Sequence, residues 1–434
     1  MITAAAPVQG RADPVVVGAA APPSAARRPG PDRTAQWRHW LDGPVATYYV
    51  LLAATVALIV IGLVMVLSSS SVEAIRHNRS SYSVFARQAE FAALGVPLMA
   101  LAIRLPIRTW KLLAWPMLLA GIAALLLIFS PLGVVVNGNR NWLDLGGDFR
   151  VQPAEGAKLA LVVWAATVLA RKRPLLNRMG HVLVPVAPVA MLVIGLVLAG
   201  HDLGTALVLM ALTGALLYSA GAPLRIFALA GALAGLLVYA LINGQASGNR
   251  SGRIDAWLNC TDYYDTCWQS VHGKWALATG GWWGVGLGAS REKWAWLPEA
   301  HNDFIFAIIG EELGLVGTLL VLALFAVLAI GLLRVVIRSS DLFVKVATGG
   351  VLTWVIGQAA VNIGAVLGLL PVVGVPLPLV SNGGSALVTT MVALGMVIGF
   401  ARRESGAAEA LAGRTGLIRR SLSVLPRRSG RAGR

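Results

Sequence analysis

The sequence predicts an all-α, polytopic integral membrane protein of about ten transmembrane helices, with one long extracytoplasmic loop between helices 7 and 8. Three observations carry that reading. Hydrophobic residues make up 57% of the chain and charged residues 13%, roughly half the charged share of a soluble protein. Apolar runs recur that reach or approach the ~20 residues needed to cross ~30 Å of hydrocarbon. Basic residues, finally, cluster in alternate connections between those runs.

In chain order, residues 1–46 are polar and rich in Pro, Ala and Arg, with no apolar core ahead of Tyr48. They read as a disordered basic cytoplasmic tail, not a secretory signal. The spans follow at 47–67, 85–103, 110–130, 154–170, 182–199, 203–220, 223–243, 304–333, 344–370 and 384–401. Glu90, Glu155, Lys158 and several glycines interrupt the second, fourth and sixth. Residues 47–402 thus form one membrane domain, 244–303 its large outer loop, and 403–434 a second disordered, Arg-rich cytoplasmic tail.

The net charge of +16 raises the question of nucleic acid. Its distribution answers otherwise. Counting the N-terminal tail, the connections around Arg104–Lys111, Arg171–Arg178, Arg225 and Arg334–Lys345, and nine arginines from Arg402 onward, 25 of 36 basic residues lie on one side. The positive-inside rule makes that side, and both termini, cytoplasmic. The charge fits topology control and attraction to anionic lipid, and no nucleic-acid partner is expected.

The outer loop 244–303 is too long for a simple connector. It holds seven of the fourteen tryptophans, residues suited either to anchoring at the membrane interface or to stacking on sugar rings. Its glycines at 280, 281, 284, 286 and 288 allow tight turns or close approach of a ligand. Five basic residues, Arg250, Arg253, Lys274, Arg291 and Lys293, face six acidic ones, so the loop is nearly neutral. Individual arginines can still clamp a phosphate. Cys260 and Cys267 are both here, on an oxidising face, where a disulfide or two free thiols are the alternatives. No metal site is evident from their spacing.

Asp303 stands where the loop enters the eighth span. A helix N-cap is one reading of it; a general base at the mouth of a lipid-accessible cavity is the other. Glu311 and Glu312 lie about two turns further on, and carboxylates there must face protein or water. Eight positions bring Glu311 to within ~80° of Asp303 if one helix carries both. Glu155 and Lys158, three apart, share a helix face. They read either as an ion pair snorkelling to the outer surface or as charge offered to a phosphate within the membrane. The Pro/Gly-rich stretch 371–385 breaks any helix and suggests a re-entrant turn buried in protein.

Together these motifs resemble the SEDS family of shape, elongation, division and sporulation proteins. The carrying stretches are Asn141-Trp142-Leu143 through Gln152-Pro153-Ala154-Glu155-Gly156-Ala157-Lys158, then Asp202-Leu203-Gly204-Thr205. Gly280-Gly281 to Gly288, Leu297-Pro298-Glu299-Ala300-His301-Asn302-Asp303-Phe304, Gly310-Glu311-Glu312-Leu313-Gly314, and Asn362 to Ser385 complete them. The chain departs from the family pattern at His201, at Ala154 and Gly156, at Trp268 before Gln269, and at Asn382.

The resemblance implies a ten-helix glycosyltransferase that polymerises lipid II into glycan strands and releases undecaprenyl pyrophosphate. It makes Asp303 the general base and Glu311 its intramembrane partner. Glu155, Lys158, Arg253, Arg291, Lys293, Gln269 and Ser385 become candidates for binding substrate and pyrophosphate. No dedicated metal site is implied, though a divalent cation, Mg or Mn, is compatible with the chemistry. The expected partners are lipid II, a class B penicillin-binding protein and other division proteins of the bacterial inner membrane. The Gly62 to Ser71 start and the long tails favour the septal (FtsW) type over the elongation (RodA) type. A lipid II flippase and a non-enzymatic division scaffold are the alternatives outside that chemistry.

Overall fold

The computed structural model describes residues 45–76, 80–136, 138–146, 149–175, 179–223, scattered positions between 225 and 240, Trp257, 267–294 and 296–404. Nearly all of the two expected tails and most of the seventh span fall outside the described residues. So do Arg253 and Cys260.

The described chain is a helical bundle. Its helices are α1 (Ala46–Arg76), α2 (Ser83–Arg104), α3 (Ile107–Leu127), α4 (Pro153–Arg171), α5 (Met179–Ala199) and α6 (Leu203–Ser219). After them come α7 (Trp268–Gly280), α8 (Ile305–Arg338), α9 (Leu342–Leu352), α10 (Gln358–Val366) and α11 (Gly384–Arg402). A π-helical turn, Thr353–Gly357, joins α9 to α10 into one span. Seven segments are long and apolar enough to cross a membrane, and Leu183–Ala199 and Leu203–Ser219 are shorter apolar helices. Nine expected spans therefore have helices at their places, within a few residues.

α4 is the axis of the bundle. Some 83% of its apolar window is buried, against 22% for α3 at the rim. It packs on α3, α9, α11, α5 and α6, while α11 lies on α2, α1 on α8, and α7 on α8. A helix enclosed on all sides is apolar over most of its surface, and charges within its buried stretch have no route to water.

Two connections hold structure the sequence reading did not foresee. Residues 131–153, expected as plain loop, form an antiparallel meander of β1 (Gly133–Val136), β2 (Asn139–Asp144) and β3 (Arg150–Val151). The alternation is too short and bulged to stand out: pairing slips between Val134 and Val135. The outer loop contains α7, whose residues Trp268–Gly280 hold only His272, Gly273, Ala276 and Gly280 buried. The stretch 371–383 is non-helical, as expected, and Leu377 and Val380 at its centre are buried.

Candidate active site

The N-terminus of α4 supplies the first element. Pro153 stands at its first helical position, where a missing N–H costs nothing. One turn in, Lys158 Nζ lies 2.7 Å from Glu155 Oε1, with side chains 1% and 3% exposed. The pair predicted from spacing is present, but it does not snorkel; enclosure of α4 holds it inside. Lys158 also donates to Gln358 Oε1 at 3.0 Å and sits 5.0 Å above the Trp354 ring. The π turn carries Trp354 and ends directly before Gln358. Such turns often occur at functional sites. The second carboxylate oxygen, Glu155 Oε2, is buried with no hydrogen-bond partner among the described residues.

Gln358 and Asn362 lie one turn apart on α10 and form a polar rail. Gln358 Nε2 donates to the Pro376 carbonyl at 2.9 Å. Asn362 Nδ2 donates at 2.8 Å both to the Val375 carbonyl and to that of Asp303. The segment ahead of α8 is held by the re-entrant stretch as well. Ser381 Oγ donates to the Asn302 carbonyl at 2.6 Å, Asn382 N to His301 O at 3.0 Å, and Gln88 bonds both Ser381 O and Gly383 N. Asp303 is thereby fixed over a small cavity of about 10 Å³ lined by Phe304, Asn362, Val373 and Gly374. The cap position of α8 belongs to Phe304, which makes no side-chain cap bond, so Asp303 is not the N-cap.

Asp202, which the sequence marked only within a stretch that carries the resemblance, is a second node. It caps α6 through Thr205 N at 2.9 Å and accepts from Asn141 Nδ2 at 2.9 Å and Gln152 Nε2 at 3.1 Å. Ser385 Oγ, buried at the start of α11, accepts from Gln152 N at 3.2 Å. Meander, α4, α6 and α11 are thus pinned at one end. Gln269 lies half-buried in the first turn of α7.

Glu311 is not placed beside Asp303. Residues 301–304 form turns, so the eight-residue helical spacing does not apply. Glu311 is fully buried and accepts from Ser290 Oγ at 2.5 Å and Arg291 N at 2.8 Å. Its carboxylate thereby holds the outer loop at Ser290 and Arg291. Lys293 is held as closely. An ammonium has three donors, and Lys293 Nζ already meets Gly288 O at 2.7 Å, Glu312 Oε1 at 3.0 Å and the carbonyl and hydroxyl of Ser68 at 3.3 and 3.4 Å. All three are engaged within the protein. Arg291, by contrast, is exposed and its guanidinium has no partner among the described residues.

The glycine run explains itself here. α8 breaks at Gly314, with φ 67° and ψ −162°. The carbonyls of Glu311 and Glu312 are taken by Val285 N and Gly286 N, at 2.9 and 3.1 Å. The amides of Leu315 and Val316 bond Gly281 O and Trp282 O, at 2.9 and 3.3 Å. Backbone groups at membrane depth must all be satisfied, and a Cβ at Gly284 would stand 2.1 Å from Glu312 O. Gly280 and Gly284 thus admit the close approach of α8, while Gly281, Gly286 and Gly288 supply positive φ. Beside them His272, missed in the sequence, meets Glu292 at 2.6 Å and lies tilted against Trp268, 4.1 Å between ring centroids. Trp275, Trp282, Trp283, Trp294 and Trp296 are each more than half exposed. Cys267 is buried in a disulfide. No group of three or more His, Cys, Asp or Glu side chains gathers among the described residues, and no step is assigned to a metal.

Comparison with known proteins agrees with this architecture. The family of cell cycle proteins that groups FtsW, RodA and SpoVE matches residues 49–406. A probable peptidoglycan glycosyltransferase FtsW of Mycobacterium tuberculosis is 38% identical over 93% of this chain and 77% of its own. Stage V sporulation protein E of Bacillus subtilis is 34% identical over 81% and 96%. Among solved structures, a chain of a peptidoglycan synthase complex that coordinates polymerization and crosslinking superposes with TM-score 0.68 at 28% identity, covering 82% of this chain and 98% of that one. The rod shape determining protein RodA of Thermus thermophilus gives 0.61 at 27% identity over 85% and 99%. The chain, a multi-pass membrane protein, belongs to the FtsW/RodA/SpoVE family.

Proposed function

We propose that the chain is a peptidoglycan glycosyltransferase that polymerises lipid II into glycan strands for the division septum. The observation that carries the chemistry is the rail from the Lys158–Glu155 pair through Gln358 and Asn362 to the backbone of Asp303. It fixes one acid at the edge of the loop with the rigidity a proton acceptor needs. Relatives over most of the chain's length named as glycosyltransferases support the same reading.

In the reaction, the 4-hydroxyl of the acceptor sugar attacks C1 of the donor sugar. The C1–O bond to undecaprenyl pyrophosphate breaks, the anomeric centre inverts, and Asp303 takes the hydroxyl proton. Arg291 is the cation placed to receive charge on the pyrophosphate. Glu155, Lys158 and Glu311 act as positioning residues. A class B penicillin-binding protein is the expected partner, in keeping with the synthase complex among the neighbours. The site of action is the septum, with both termini in the cytoplasm.

Purified protein with its partner, given lipid II in detergent, tests this. Wild type is expected to yield glycan, and Asp303→Asn about 10²–10⁴-fold less at an unchanged unfolding midpoint. Equal product from both removes Asp303 as the base. Lipid II translocated into vesicles without glycan product selects the flippase instead.

A further inference from the structure

At the opposite end of α4, a cavity of about 230 Å³ opens between three helix ends. Lys111 in the first turn of α3, Thr167 and Arg171 in the last turns of α4, Arg173 just beyond it, and Asp341 and Leu342 at the start of α9 line it. All three connections are ones that the charge pattern assigns to the cytoplasmic side. Lys111 and Asp341 are 3.4 Å apart and neutralise each other, and Asp341 also caps α9 through Phe343 N at 2.8 Å. Arg171 and Arg173 are exposed and make no hydrogen bond or ion pair among the described residues. Two cationic forks therefore border a hollow whose floor, Thr167, is buried.

We infer that this cavity binds the phosphate headgroup of an anionic lipid of the inner leaflet. Two guanidiniums fit phosphate oxygens in bidentate geometry, and basic pockets between membrane helices on this side bind such headgroups. What favours a lipid over a soluble phosphate is the surface next to it. Leu112, Trp115 and Leu119 share a face of α3 and are 77%, 48% and 60% exposed. That strip begins beside Lys111 and runs from the cavity along the helix, where an acyl chain has an apolar track. Trp115 is held in place on that track by its edge contact with Trp164, 5.6 Å between centroids.

The test is lipid titration of the purified, delipidated full chain followed by native mass spectrometry. The probes are dioleoyl phosphatidylglycerol, dioleoyl phosphatidylcholine and glycerol phosphate. Wild type should retain phosphatidylglycerol in preference to phosphatidylcholine. Arg171→Gln with Arg173→Gln should weaken that retention roughly thirtyfold, the loss of two basic residues each acting at a lipid surface. Arg171→Lys with Arg173→Lys should keep most of it, which guards against a glutamine pair that fails to fold. Arg104→Gln with Arg402→Gln, equal in charge and exposed on the same side outside the cavity, should change it little. Equal loss from that control pair, or equal retention of the two lipids, overturns the site. Glycerol phosphate competing as well as the intact lipid overturns the lipid assignment.

Discussion

Among the described residues two lysine–glutamate pairs are buried, and they are built differently. Lys158 and Glu155 stand three residues apart on one helix; Lys293 and Glu312 join the outer loop to α8 across nineteen residues. Glu312 has both oxygens engaged, Oε1 by Lys293 and Ser68 and Oε2 by Ser68 at 2.6 Å. Glu155 has one oxygen with no partner, and its lysine leans on an amide and an indole ring. A saturated pair that crosses elements is a fastener. A pair with spare capacity, tied by a rail to Asp303, belongs to the working part of the molecule.

Removing one partner of the fastener should have the largest effect. Lys293→Met strands the Glu312 carboxylate in a core where it is 1% exposed, a loss of about 3–5 kcal/mol. Thermal unfolding in detergent should show it as a lowered midpoint. Adding Glu312→Leu to that variant should restore much of the loss, since no orphan charge remains. A single variant as stable as wild type ends the fastener reading. Lys158→Met strands the Glu155 carboxylate, 2% exposed, in the same way, so a comparable fall in the midpoint is expected. Here, however, glycan synthesis per folded protein should also fall about 10²-fold as the rail shifts Asp303. A loss of activity no larger than the loss of folded protein would make the two pairs equivalent.

Ser290→Ala probes the fastener more gently. It deletes one hydrogen bond to the Glu311 carboxylate and leaves Arg291 N in place, worth roughly 1.5–3 kcal/mol. Limited proteolysis of the 281–294 loop should quicken in step. If the loop is equally protected in the variant, Glu311 does not hold it.

The sequence disclosed the spans and the Glu155–Lys158 pair because apolar length and helical periodicity are local quantities. It disclosed Asp303 only through resemblance. The angle read between Asp303 and Glu311 did not hold, because α8 starts only at Ile305 and spacing from Asp303 carried no helical phase. The pairing of Val285 with Glu311, or of Ser68 with Glu312, joins residues 26 and 244 positions apart, and no window of sequence shows it. The glycines were noticed, but that α8 approaches Gly280 and Gly284 is again a long-range fact.

The smallest effect is expected where the same chemistry meets water. Glu404 follows the end of α11, only partly buried, with Arg334 and Arg338 of α8 nearby. Burial pushes its carboxyl above the ordinary carboxylate range, and the two arginines pull it back by less. A folded-state value above the unfolded one means that the folded protein holds the proton more tightly. Its contribution to stability is therefore most favourable below the unfolded value, falls as pH rises through the raised one, and is flat above it. Glu404→Gln should remove that slope. The unfolding midpoints of variant and wild type should coincide in acid and separate slightly, variant higher, near neutrality. Solvent screening keeps the gap well below that of Lys293→Met. A variant less stable at neutral pH would mean that the arginines outweigh burial, so that even at this edge Glu404 behaves as a paired charge like Glu312.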